Sequence, residues 1–192
     1  MRLLLHICCA PCAVAVAETL MGRPGMELEG FFYNPNIHPT EEFNKRKDTV
    51  KRMSEDLGLP VFFDDENRLD LWKHDLENKD KSIRCRTCYA IRLEKIAQFT
   101  KMNGFDGFTT SLLISPYQNH DLIREMGSRA AEKYGLSFHY EDFRNLYRKG
   151  REISRARNYY MQKYCGCIFS YGESDHPKKP IYIFEQDFEK NL

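Results

Sequence analysis

The chain has 192 residues, long enough for one domain with a hydrophobic core and short for two. Its 42% hydrophobic and 30% charged residues are those of an ordinary soluble globular protein, and no run of roughly 18 apolar residues offers a membrane span. The formal net charge of +1 excludes a uniformly basic nucleic-acid binder, so any such surface must come from local clustering.

Leu3 to Ile7 reads as a short apolar strand ending at Cys8-Cys9. Pro11 to Leu20 then reads as a helix, with proline in the first turn where its missing N–H costs nothing. The opening Met1-Arg2-Leu3-Leu4-Leu5, with Ala13-Val14-Ala15, has the outline of a signal peptide. His6 and Pro11 break its apolar run short of the roughly 7–15 residues required, so the cytoplasm, where thiols stay reduced, is the expected compartment. Leu28 to Tyr33 is a second strand, closed by Asn34-Pro35-Asn36, and Glu41 to Leu57 a charged helix stopped at Gly58. Val61 to Phe63 is a third strand. Cys85 to Met102 carries Ile91, Ile96 and Phe99 among charges, as an amphipathic helix does, and Gly104 ends it. A strand over Phe105 to Leu113, a helix over Tyr117 to Tyr134 ended by Gly135, a strand over Ser137 to Tyr140 and a helix over Arg151 to Tyr164 complete the series.

This alternation predicts an α/β fold, a parallel sheet with helices on both faces, in a single catalytic domain over 1–192 that closes with a basic helix and a tail. Ligands of such sheets bind beyond the carboxyl ends of the strands. Cys8 and Cys9, the segment from Tyr33 to His38, and the segment from Ser111 to His120 would share that edge. No Gly-x-Gly-x-x-Gly and no Gly-Lys-Ser/Thr loop follows the first strand, so a nucleotide cradled by backbone amides is not expected there. A metal fits better.

Seven cysteines fall in three clusters: Cys8, Cys9 and Cys12; Cys85 and Cys88; Cys165 and Cys167. An odd total argues against a complete disulfide framework, and tight clusters far apart in sequence look like ligands converging in the fold. Cys85-Arg86-Thr87-Cys88, placed at a helix start beside Arg84, should favour thiolates. Four thiolates suit structural zinc and a four-iron cluster equally; the fifth thiol is surplus to either and points to a catalytic site. Cys165-Gly166-Cys167 is too tightly spaced for an unstrained bridge, which suits an easily reduced redox pair.

Between Phe143 and Lys163 lie Arg144, Arg148, Lys149, Arg151, Arg155, Arg157 and Lys163, interleaved with Phe143, Tyr147, Tyr159, Tyr160 and Tyr164 and opposed locally by Glu152 alone. Arg148, Arg151 and Arg155 fall at helical spacings of three and four. Arginines grip phosphates and aromatics stack on splayed bases, which favours RNA over a merely solvated face. His6 is expected as a satisfied core histidine. Asn34 and Asn36 are turn formers or substrate ligands, and Ser111, Tyr117, Gln118 and His120 are further candidates for substrate contact or helix capping.

Together, His6-Ile7-Cys8-Cys9-Ala10-Pro11-Cys12, Phe32-Tyr33-Asn34-Pro35-Asn36-Ile37-His38-Pro39, Arg84-Cys85-Arg86-Thr87-Cys88-Tyr89, the segment Thr109 to Tyr117, and Tyr164-Cys165-Gly166-Cys167 resemble the cobalamin-independent epoxyqueuosine reductase family, QueH. The resemblance implies a fold similar to adenine-nucleotide-hydrolase-like (HUP-type) domains. It implies a [4Fe-4S] cluster with an additional iron ion, and reduction of the epoxide of epoxyqueuosine in a tRNA anticodon loop, fed by an external electron donor. It further implies Cys8, Cys9, Cys85 and Cys88 as cluster ligands and Cys165 and Cys167 as a redox-active pair, leaving Cys12 for the second iron. Spacing alone would pair Cys9 and Cys12 with Cys85 and Cys88 and free Cys8. An iron–sulfur tRNA thiolase and a non-catalytic zinc RNA-binding domain are the alternatives, distinguished by ATP consumption and by metal content.

Overall fold

The structure, a computed structural model, describes residues 1–66 and 75–173. Five strands, β1 (Arg2–His6), β2 (Glu27–Tyr33), β3 (Val61–Asp64), β4 (Gly107–Thr110) and β5 (Ser137–Phe138), form one sheet in the order β3-β2-β1-β4-β5. Every pairing is parallel. β1 lies in the centre, which explains its uninterrupted Leu3-Leu4-Leu5: a strand covered on both faces has no polar side to present. The chain winds outward from β1 through β2 to β3 and then returns to β4 on β1's other edge. Its strand order reverses at β1, so a crevice opens beyond the carboxyl end of that strand, where Cys8 and Cys9 follow.

The helices are α1 (Ala10–Met21), α2 (Thr40–Leu57), α3 (Lys81–Met102), α4 (His120–Tyr134), α5 (Tyr147–Ala156) and the short α6 (Ile168–Glu173). α1 packs against α2 and α5, and α3 against α4, so helices flank the sheet in two groups. α1 is buried almost throughout from Ala10 to Ala17, with small side chains that let neighbours approach. α5 comes closest at Gly150, where a Cβ would stand 2.7 Å from the Pro11 carbonyl oxygen. No helix among the described residues is long and apolar enough to cross a membrane.

Four elements depart from their expected boundaries by three residues or more, and the others by one or two. The strand predicted over Phe105–Leu113 is only Gly107–Thr110, because the Thr110 hydroxyl accepts from the Leu112 amide and starts a 3-10 turn, Ser111–Ile114. α3 begins at Lys81, a turn ahead of Cys85, so the two cysteines sit inside the helix and not at its start. α4 begins at His120, not Tyr117, because the Asn119 side chain caps it by accepting from the Leu122 amide. The last long helix spans Tyr147–Ala156 and not Arg151–Tyr164. Asn158 takes a left-handed φ of 53° and reverses the chain, which buries Tyr159 and lets its hydroxyl donate to Asp56 on α2. Residues beyond Asn158 therefore leave the helix and run back towards the thiols. Of the tail after Ser170, 174–192 lie outside the described residues.

Candidate active site

Cys8 and Cys9 end the central strand and Cys12 follows on the first turn of α1, so three sulfurs meet with their Sγ atoms all within 4.8 Å of one another. Cys8 and Cys9 Sγ are 3.6 Å apart. All three residues are buried. Ser111, on the 3-10 turn after β4, accepts from the Cys8 amide at 3.1 Å and its hydroxyl donates to Cys8 Sγ at 3.4 Å. Gln162 reaches in from the segment after α5, its Nε2 2.9 Å from Cys9 Sγ and 3.5 Å from Cys12 Sγ. Hydrogen bonds from the Cys12 and Cys9 thiols hold Cys8 well below the usual thiol range against the effect of burial. Burial pushes Cys9 up, and the hydrogen bond to Cys8 pushes Cys12 up.

These thiols open onto a cavity of about 690 Å³ whose lining also includes Cys85 and Cys88 of α3 and Cys165 and Cys167. Burial raises the thiol pKa of both Cys85 and Cys88. The Cys167 thiol hydrogen-bonds to Cys165 and brings it down to about 5, while Cys167 itself is raised. Cys165 Sγ also lies 2.8 Å from the Ser170 hydroxyl at the start of α6.

The Cys165–Cys167 segment is clamped from α2. Arg46 donates from Nη1 to the Cys165 carbonyl at 3.0 Å and from Nη2 to the Tyr164 carbonyl at 2.9 Å, while its Nε donates to Glu42 at 2.7 Å. The His38 amide donates to the Gly166 carbonyl at 2.8 Å, and the Tyr164 hydroxyl donates to the His38 carbonyl. Gly166 has φ 114°, and a Cβ there would stand 2.9 Å from Ile37 Cγ1 and 3.0 Å from Arg46 Nη1, so both conformation and space require glycine.

At the rim, Tyr117 is 81% exposed and meets the Tyr147 ring edge-on with centroids 6.1 Å apart. Arg151 lies over the Tyr147 ring, and Arg155 also lines the cavity. The rest of the basic run is more neutralised than the sequence suggests: Arg144 pairs with Asp142, Arg148 with Glu152, and Lys149 and Arg157 with Glu18 on α1.

The expected site residues divide accordingly. Cys8, Cys12, Cys85, Cys88, Cys165, Cys167, Asn36, Tyr117, Gln118, Arg151 and Arg155 line one cavity, with Cys9 directly behind. Ser111 touches the site through Cys8. Asn34 is turned inward, donating to the Ile7 carbonyl and accepting from Arg92. His120 is buried beside Tyr140, away from the cavity lining, and Arg148 projects into solvent with its side chain 91% exposed. His6 is the satisfied core histidine expected, between Thr110 Oγ1, the Tyr33 carbonyl and Arg92. Sequence reasoning missed Arg46, Arg92 and Gln162. Arg92 carried a signal, standing four residues after Cys88 on one helix; Arg46 and Gln162 reach the site across the fold and carried none.

A donor set made of sulfur alone, with one thiolate already favoured, fits an iron–sulfur cluster, whose irons take thiolate ligands. Residues 3–173 match the family model described as "Epoxyqueuosine reductase QueH". Curated proteins carrying that name include one from Acinetobacter baylyi, 41% identical over 88% of this chain and 80% of its own length. Another, from Thermotoga maritima, is 34% identical over 87% of this chain and 88% of its own. A third, from Dehalococcoides mccartyi, is 33% identical over 93% and 98%. Among solved structures, the U34-tRNA thiolase NcsA from Methanococcus maripaludis with its [4Fe-4S] cluster aligns with a TM-score of 0.45 and 14% identity, covering 83% of this chain and 71% of its own.

Proposed function

The chain belongs to the epoxyqueuosine reductase QueH family, and on that premise we propose that it reduces the epoxide of epoxyqueuosine in a tRNA anticodon loop, in the cytoplasm, to give queuosine. The observation that carries this reading is the meeting of six thiols around one cavity, with the Cys9 thiol directly behind and an arginine and tyrosine rim. The epoxide oxygen leaves as water and an alkene forms, which consumes two electrons and two protons.

In this reading Cys8, Cys9, Cys85 and Cys88 hold a [4Fe-4S] cluster and Cys12 is left for an additional iron; the mutual proximity of Cys8, Cys9 and Cys12 supports all three sharing one metal centre. Such a centre supplies single electrons and, at an iron with an open position, Lewis acidity. The chain's own residues supply the rest. Arg151 and Arg155 hold the RNA backbone at the rim and Tyr117 and Tyr147 stack on its bases, so that one nucleotide enters the cavity. Asn36 and Gln118 offer amide groups to the entering base. The Cys165 thiolate and the Cys167 thiol, on oxidation to a disulfide, release two electrons and one proton; the second proton comes from solvent. An external electron donor then restores the pair.

The test is anaerobic incubation with epoxyqueuosine-containing tRNA and a chemical reductant, followed by nucleoside mass spectrometry. Conversion to a product lighter by one oxygen is expected. A colourless protein holding one zinc and no sulfide, without turnover, would leave an RNA-binding zinc domain instead. Full turnover by a Cys165→Ser/Cys167→Ser variant would remove the dithiol role alone.

A further inference from the structure

Among the described residues two arginines are buried, Arg46 at 2% and Arg92 at 3% exposed. Arg46 has a carboxylate, Glu42 at 2.7 Å. Arg92 has none among the described residues. Its Nη2 donates to Asn34 Oδ1 at 2.8 Å, its Nε faces His6 Nε2 at 3.3 Å, and its Nη1 donates to Cys88 Sγ at 3.6 Å. Asn34 carries no charge. His6 accepts the Arg92 Nε hydrogen at its Nε2, which a doubly protonated imidazolium could not do, so it brings no negative charge either. A guanidinium does not lose its proton in a protein, and an unpaired buried ion costs several kcal/mol. Among its described hydrogen-bond partners, only the Cys88 sulfur can take negative charge.

The scaffold holds the guanidinium firmly. Asn34 follows β2 and is itself anchored by donating to the Ile7 carbonyl at 2.9 Å, one residue before Cys8. Arg92 stands one helical turn after Cys88 on α3, on the same face. Each of its three nitrogens makes one hydrogen bond inward, to His6, Cys88 or Asn34, which fixes the guanidinium plane beside the Cys88 sulfur at the cavity wall.

We propose that Arg92 is the built-in counter-ion of the thiolate metal centre, stabilising its more negative reduced state and so raising its reduction potential. This rests on the reading that Cys88 is a cluster ligand. Reduction adds one electron to the cluster and moves no proton at Arg92, which stays charged throughout. It is a tuning residue that acts through the Cys88 sulfur and the local field.

The experiment is an anaerobic redox titration, read by absorption and electron paramagnetic resonance, of the cluster-loaded wild type and Arg92→Gln, Arg92→Met and Arg92→Lys. Sulfide content and circular dichroism establish that each variant is loaded and folded. At the wild-type midpoint potential, the ratio of reduced to oxidised cluster should fall at least tenfold in the Gln and Met variants, equivalent to 59 mV for a one-electron couple. The Lys variant, which keeps the charge, should recover most of that loss. Midpoints unmoved in both neutral variants would overturn the proposal, as would a Lys variant shifted as far as Gln. Weakened tRNA binding with an unmoved midpoint would also overturn it and assign the guanidinium to substrate. A wild type that holds no sulfide removes the cluster reading and this inference together; a loaded wild type whose potential ignores Arg92 removes the inference alone.

Discussion

Replacing Arg46 by methionine should be among the most damaging single changes in the described fold. Arg46 is 2% and Glu42 8% exposed in their side chains, with nitrogen and oxygen 2.7 Å apart. Removing one member of such a pair leaves an uncompensated buried charge, which costs about 3–5 kcal/mol. The Tyr160 hydroxyl still donates to Glu42, but one neutral donor does not offset a lost guanidinium. Domains of this kind hold only about 5–15 kcal/mol in total. At roughly 2–4 °C per kcal/mol for 150–250 residues, the melting temperature should drop by about 6–20 °C. The Tyr164 and Cys165 carbonyls lose their donors in the same step, so the segment carrying Cys165 and Cys167 loosens. The assay is urea denaturation of the reduced, metal-free protein by circular dichroism, paired with the alkylation rate of Cys165. Glu42→Gln/Arg46→Met should be more stable than Arg46→Met, because the stranded charge is gone. A loss below about 1 kcal/mol, or a double variant no better than the single, would refute the account.

Three further outcomes are expected. Gly150→Ala places a Cβ 2.7 Å from the Pro11 carbonyl oxygen, a backbone atom that cannot swing aside, so α5 must move off α1. Denaturation should show a loss of about 1–3 kcal/mol, the usual cost of overpacking, and an unchanged stability would mean the helices separate freely. Arg23 donates to both oxygens of Glu141, at 2.9 and 2.7 Å, and the hydrogen bond and charge lower the Glu141 pKa from 4.5. Because the folded pKa is the lower one, this contribution is present above the unfolded value and is lost as pH falls through the folded value. The pair is about one-third exposed, so Glu141→Gln should cost no more than about 1 kcal/mol near neutrality, fading in acid and in high salt; a pH-independent difference would contradict this. Arg155→Ala, at the cavity rim, should weaken tRNA binding and reduce the slope of log affinity against log salt by roughly 0.7–0.9, and an unchanged slope would remove its phosphate contact.

Much of the architecture is legible locally. The buried centre of the sheet is written as Leu3-Leu4-Leu5, and α2 and α4 stop at Gly58 and Gly135 as expected, because strand alternation, helical spacing and capping all depend on residues within a few positions of one another. Boundaries set by side chains reaching elsewhere were not legible. Nothing near Asn158 announces that burying Tyr159 against α2 will end the helix at Ala156.

The candidate site divides along the same line. The sequence by itself determined the chemistry: thiols in three tight groups, a carboxyl-end crevice to receive them, and membership of one family through motifs that span most of the chain. Only the tertiary structure decided which sulfurs meet, that Arg151 and Arg155 face the cavity while Arg148 faces water, and which buried cations stand behind the thiols. Arg92 meets Asn34 across 58 positions and Arg46 meets the Tyr164 and Cys165 carbonyls across 118 and 119. Contacts over such separations are set by how the sheet and helices pack as a whole, and packing is a property of the complete fold that no local pattern carries.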